Sequence, residues 1–152
     1  MERVFEENLT RIGNVVAIFD KWDGPRYLTR IWTIFEQFIA IKLNVPVTIV
    51  LPRTACESLI KEFNRGEYGI KKVTTALLKI ESQNAEASVP TDEQKVKKMI
   101  TDTVGFEDLD GKISNFMTEW IAGEVQSHMK RLVTMSNTKL ADAGSGSSST
   151  GG

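Results

Sequence analysis

The chain has 152 residues, close to the size of one domain, with 20 acidic and 19 basic side chains and a formal net charge of -1. That balance offers no electrostatic case for nucleic acid, whose binders present a strongly basic face. No apolar run approaches the roughly 20 residues of a membrane span, the acidic opening MERVFEENLT is no signal peptide, and the single cysteine, Cys56, cannot close an internal disulfide; the expectations are no nucleic acid, no membrane and a reducing, cytoplasmic setting.

Val4, Phe5, Leu9 and Ile12 recur at helical spacing, which predicts a helix over Glu2 to Ile12, broken at Asn14. Val15 to Phe19 is a continuous apolar run rich in β-branched residues, the pattern of a strand covered on both faces in a parallel sheet. Asp20 to Pro25 is a loop marked by its Gly-Pro pair. A helix follows from about Tyr27 to Leu43, with Leu28, Ile31, Trp32, Phe35, Phe38 and Ile39 on one stripe, widened by Ile34 and Ile41. Val45 to Pro52 reads as a second apolar strand with Pro46 at its beginning, where a missing N–H does no harm. Strand, helix and strand in one sheet form a parallel βαβ unit. The loop from Asp20 to Arg26 then leaves the carboxyl end of the first strand, the edge at which open α/β sheets bind ligands.

The remainder reads as helical. Thr54 to Glu57 matches a capping box opening a helix to about Asn64, Gly66 and Gly69 interrupt, and Ile70 to Leu78 is a further short helix. Lys79 to Ala87 is polar and reads as a loop, with Ile80 the one residue suited to a short edge strand. Thr91 to Gln94 is a second capping box, and Gly105 is a natural stop for its helix. The last helix, from about Asp110 to Asn137, would be about 40 Å long, more than a small domain covers, so its end is expected to project, fray or meet a partner. Gly144 to Gly152 contain only Gly, Ser and Thr, the composition of a flexible tail.

The chemistry-bearing inventory is short. The chain lacks a Gly-rich phosphate loop, a nucleophile elbow and a Cys/His cluster, so no metal is expected. His128 sits on the polar flank of the last helix and reads as a surface residue, and Cys56 reads as a small packed side chain with no histidine nearby in sequence to activate it. Trp32 and Glu36, four residues apart, share a helix face. A carboxylate beside an indole is partly desolvated, which raises its pKa and suits it to hold a ribose hydroxyl or serve glycosidic chemistry. Set against this is the plain alternative of a solvated glutamate at the edge of an apolar helix.

The succession of strand, short loop, Thr29-Arg30, Trp32 and, after three residues, Glu36 resembles the Toll/interleukin receptor (TIR) domain, in which a strand precedes a helix bearing Trp-Cys-x-x-Glu. Val15 to Phe19 would be that strand, Thr29 to Glu36 that helix and Val47 to Leu51 the next strand. Tyr27, Leu28, Thr29, Arg30, Trp32, Phe35 and Glu36 together are similar to TIR-like proteins of unicellular algae and other protists, whose helical region resembles Asn84 to Ser88 and Val104 to Phe106. The resemblance covers about residues 1 to 52 and lacks the N-terminal strands of that fold, so either the chain is part of a longer protein or the helices after Thr54 complete a different core. It implies an α/β fold: a partial, flavodoxin/TIR-like parallel sheet over residues 1–53, a helical extension with one long helix over 54–141 and a Gly/Ser tail over 142–152. In NAD-cleaving TIR domains the glutamate of this motif is catalytic, which carries over to Glu36, with Trp32 beside it; Asp20 and Trp22, in the loop at the strand edge, join Trp32 as the residues expected around a bound cofactor or substrate. The first functional expectation is an interaction or signalling module without catalysis of its own, needing no cofactor and working through a protein partner or self-association. The alternatives are an NAD+ glycohydrolase, with NAD as its substrate and Glu36 as its carboxylate, and a helical adaptor or self-associating structural protein.

Overall fold

The protein, seen in a computed structural model that describes residues 2–144, is mostly helical around a two-stranded parallel sheet. Helix α1 spans Glu2–Ile12 and closes on Gly13, whose N–H donates to the Leu9 carbonyl and whose φ of 74° is open to glycine at little cost. Strands β1, Val15–Ile18, and β2, Val47–Val50, pair with Val15 opposite Val47 and Ile18 opposite Val50. The Pro46 carbonyl accepts from Val15 N–H at 2.9 Å, so the proline serves the ladder just ahead of β2 without needing a donor.

The stretch expected as one helix from Tyr27 to Leu43 divides into a 3₁₀ turn, Arg26–Thr29, and helix α2, Ile31–Lys42. The cause is tertiary: Arg30 is extended because the backbone on either side of it pairs with Glu86, Ile31 N–H donating to the Glu86 carbonyl and Glu86 N–H to that of Thr29, each at 3.0 Å. Helix α2 is the centre of the core. Ile31, Ile34, Phe35, Phe38 and Ile39 are all buried, and Phe35 meets Phe5 of α1 with ring centroids 6.1 Å apart. Asn44, at a φ of 54°, turns the chain toward β2.

The first strand is expected from its apolar run to be covered on both faces, and neither strand is. Side chains alternate along a strand. Ala17 is fully buried, with Val47 and Ile49 packed beside it, whereas Val16, Ile18 and Val50 on the other face are 51%, 67% and 44% exposed. All the helical packing on this sheet falls on one side of it.

Helices α3, Arg53–Phe63, and α4, Glu67–Leu77, form a hairpin across Gly66. The Thr54 capping box does not open α3: the N-cap is Pro52, Thr54 lies inside the first turn, and Glu57 pairs with Arg53 at 2.8 Å instead. Helix α5, Pro90–Thr103, likewise starts from Val89 with Pro90 in its first turn, and Glu93 accepts from Ala87 N–H at 3.1 Å. A proline preset at a helical φ defines each start ahead of the threonine. Gly105, at a φ of 79°, ends α5 as its position suggested. Lys79 to Ala87 contains a 3₁₀ turn, Ser82–Asn84, and Ile80 is buried without forming a strand.

Helix α6 runs from Phe106 to Gly144, longer at both ends than its periodicity marked. Leu109, Ile113, Met117 and Ile121 bury its first half against the same core as β1 and α2, and the residues from Met129 to Gly144 are all exposed. The long helix therefore projects, as its length suggested. Among the described residues no helix is long and apolar enough to cross a membrane. The Gly/Ser tail expected from residue 142 lies, from residue 145 onward, outside the described residues.

Candidate functional site

The carboxyl end of β1 runs into the loop that carries Asp20 and Trp22. Phe19 anchors it, fully buried, with its N–H on the Val50 carbonyl at 2.9 Å. One residue on, Asp20 Oδ1 accepts from Arg26 N–H at 2.9 Å and closes the loop on itself; that bond holds the carboxyl below its ordinary range. Trp22 folds back to 5% exposure, and its indole Nε1–H donates to Ser58 Oγ on α3 at 3.1 Å. Over its ring stands Lys72 Nζ of α4, 5.6 Å from the centroid.

Lys72 also binds Glu62 of α3 at 2.7 Å, and Arg65 reaches the second oxygen of the same carboxylate at 2.9 Å. The hydrogen bond from Lys72, then that from Arg65, keeps Glu62 ionised below its ordinary range. Around these groups lies an open cleft of about 370 Å³, bordered by Asp20, Trp22 and Asp23 from the loop, Thr54, Ser58 and Glu62 from α3, and Lys72. A second cleft of about 520 Å³ shares Asp23 and Lys72 and continues along α4 past Tyr68, Lys71 and Lys79. The edge thus sets Asp20, Asp23 and Glu62 beside Lys72, with further lysines, Lys71 and Lys79, along the second cleft.

Trp32 and Glu36 line neither of these clefts. They lie half-buried along α2, where burial raises the Glu36 carboxyl. The nearby group is Tyr27: burial first, and the charge of Glu36 second, push its hydroxyl well above its usual range, and that hydroxyl is buried without a hydrogen-bond partner. Tyr27 in turn packs on Phe19, ring centroids 5.3 Å apart. The four residues singled out from the sequence thus fall into two pairs, Asp20 with Trp22 in the cleft, and Trp32 with Glu36 outside it.

Ser58, Glu62 and Lys72 escaped the sequence reading, because the hairpin that joins them leaves only the Gly66/Gly69 interruption as a local mark. His128 is a correction: rather than facing solvent it is 7% exposed, its Nε2 2.8 Å from Asn64 Oδ1 and its ring 6.2 Å from that of Phe63. The end of α3 presses on α6 there and makes the polar flank an internal one. Among the described residues no three His, Cys, Asp or Glu side chains gather as a metal site would require. Compared with known proteins, the chain matches no family model, no curated protein and no solved structure.

Proposed function

We propose that the chain is a TIR-like interaction and signalling module that acts in the cytoplasm by binding protein and carries out no reaction of its own. The observation that carries this reading is the outer end of α6. From Met129 to Gly144 every residue is exposed, yet Met129, Leu132, Val133 and Leu140 repeat at helical spacing along it. Exposed apolar surface of that order marks an interaction site more often than a solvated face. The TIR-like and flavodoxin-like part of the reading rests on the β1–α2–β2 unit and on Trp32 with Glu36, and the separation of Glu36 from the Trp22 cleft favours binding over catalysis.

Two measurements test it. Replacing Leu132 and Val133 by glutamine should leave the melting temperature of the chain within about 2 °C of its native value, because neither packs on the body; a fall of many degrees would show that the stripe belongs to the chain's own core and would sink the interaction reading. NAD incubated with the full chain should release no nicotinamide.

A second reading, NAD cleavage at Glu36, draws on one observation. A half-buried carboxyl raised by burial, close to the unpartnered Tyr27 hydroxyl, has the character wanted for gripping a ribose hydroxyl. Nicotinamide release abolished in Glu36→Ala and retained in Glu57→Ala would establish it in place of the first.

A further inference from the structure

Glu62 borders the first cleft, yet it fixes the wall of the second. It is 9% exposed and meets two cations at once, Lys72 at 2.7 Å and Arg65 at 2.9 Å. Each cation is thereby held against an aromatic ring. Lys72 Nζ stands 5.6 Å from the centroid of Trp22, and the Arg65 guanidinium 4.5 Å from that of Tyr68. Two groups that border the second cleft, the Lys72 ammonium and the Tyr68 ring, are therefore set in place by one nearly buried carboxylate that does not border it.

The charges around the second cleft do not cancel. Lys71, Lys72 and Lys79 face one carboxylate, Asp23. Lys71 makes no ion pair among the described residues. Lys79 reaches Glu81 only at 4.0 Å, where both are exposed and such a pair contributes little. The first cleft has the opposite balance, with Asp20, Asp23 and Glu62 against Lys21 and Lys72. The positive surplus thus belongs to the α4 side.

Tyr68, Lys71 and Lys72 are three and four residues apart on α4, so a ring and two ammonium groups share one helix face within a turn. Ala76 and the lysine stems give the same wall apolar surface. At about 520 Å³ the cleft has the size of small-molecule sites.

We infer that this cleft binds a small aromatic dianion. Its planar ring packs on Tyr68, and a dianionic group attached to that ring, a phosphate or a pair of carboxylates, sits between Lys71 and Lys72. Glu62 is the positioning residue that holds Lys72 and, through Arg65, Tyr68. The site goes beyond the reading of α6 as an interaction element and does not depend on it.

The test is titration of the full chain followed by its amide NMR signals, with phenyl phosphate, isophthalate and inorganic phosphate as probes. Phenyl phosphate or isophthalate should give saturable shifts along Tyr68 to Lys79, and the tighter of the two identifies the acid group. Inorganic phosphate, which lacks the ring, should bind about tenfold more weakly than the better aromatic probe. Tyr68→Leu should abolish that advantage, and Lys71→Ala should weaken the aromatic probe about tenfold. Both side chains are exposed, so both variants should melt like the native chain. Lys98→Ala, on α5, should bind like the native chain. Glu62→Gln separates positioning from simple attraction. Removing a negative charge near an anion would strengthen binding by charge alone, whereas loss of the held Lys72 and Tyr68 should weaken it several-fold. No saturable binding of either aromatic probe, or a Lys71→Ala variant that binds like the native chain, overturns the site. Equal affinity for phenyl phosphate, isophthalate and inorganic phosphate overturns the role of Tyr68 and the aromatic class, and tighter binding by Glu62→Gln overturns the positioning. None of these results bears on α6.

Discussion

A Cβ placed on Gly69 of α4 would stand 1.7 Å from the carbonyl oxygen of Glu62 in α3. The two helices of the hairpin meet backbone to backbone at that point, and the approach brings Lys72 to the Glu62 carboxylate and to the Trp22 ring. Glycine inside a helix costs about 0.5–1 kcal/mol relative to alanine. Here the cost is offset because any side chain would strike main chain that cannot swing aside. Gly69→Ala is therefore expected to destabilise the protein by more than about 3 kcal/mol, or to prevent folding. Gly123→Ala, at an exposed site in α6 with nothing within 4 Å, should stabilise it by about 0.5–1 kcal/mol. Thermal melts of the two variants check both; equal melting of Gly69→Ala and the native chain would refute the close approach.

Glu36 and Glu62 should respond to pH with opposite signs. Burial raises Glu36 above its ordinary value of 4.5, so the fold disfavours its ionised form. Its penalty is absent below that value and grows as pH rises through the folded pKa. Glu36→Gln should then raise the melting temperature at pH 7 and leave it unchanged at pH 4. Glu62 is lowered, chiefly by its hydrogen bond from Lys72, so its contribution is present above 4.5 and is lost as pH falls through the folded pKa. Glu62→Gln should lower the melting temperature at pH 7, with the difference closing as the solution is acidified toward pH 2. Parallel melts across that range decide it, and an effect of the same sign for both variants would contradict their assigned environments.

Local pattern accounts for the elements and stops at the contacts between them. The run Val15 to Phe19 contains β1, and Gly105 ends α5 where its place after the periodic stretch suggested. Thr54 and Thr91 mislead because a capping box can be matched by residues inside a helix already started by a proline. The open sheet face is not legible at all: Val16 and Ile18 are as apolar as Val15 and Ala17, and an apolar run reads as covered on both sides wherever the cover comes from. Asp20 and Trp22 are legible as edge residues of a βαβ unit, but their neighbours Ser58, Glu62 and Lys72 come from a hairpin whose docking no short-range pattern encodes. Whether Glu36 joins them depends on the rotation of α2, set by the burial of Ile31, Ile34, Phe35 and Phe38 together.

The bond between Trp22 and Ser58 fixes the loop at the strand edge onto α3. Ser58→Ala would remove the acceptor of a nearly buried indole N–H at 3.1 Å and should cost about 1–2 kcal/mol. Ser58→Thr keeps the hydroxyl and should recover most of that loss. The check is the tryptophan emission of the chain with Trp32 and Trp120 replaced by phenylalanine: loosening of Trp22 in the alanine variant shifts emission to the red. An unshifted spectrum and an unchanged melt would mean that Ser58 does not hold the ring.

His128, the last buried residue of α6 among the described residues, meets Asn64 at the end of α3. An amide oxygen only accepts, so the 2.8 Å contact with Asn64 Oδ1 places the imidazole proton on Nε2. The contact is nearly buried, and removing either partner strands the other. Asn64→Ala and His128→Ala should each cost about 1–3 kcal/mol, and the double variant should cost less than their sum by about 1 kcal/mol. Strict additivity in urea unfolding would mean that the two side chains do not interact. The location gives the coupling a further consequence: among the described residues His128 is the last buried residue of α6, so loosening this contact should shorten its held part back to Ile121, the next buried residue toward the core. Amide exchange from Ala122 to Ser127 should therefore quicken in Asn64→Ala, while exchange from Leu109 to Ile121 follows only the global loss of stability.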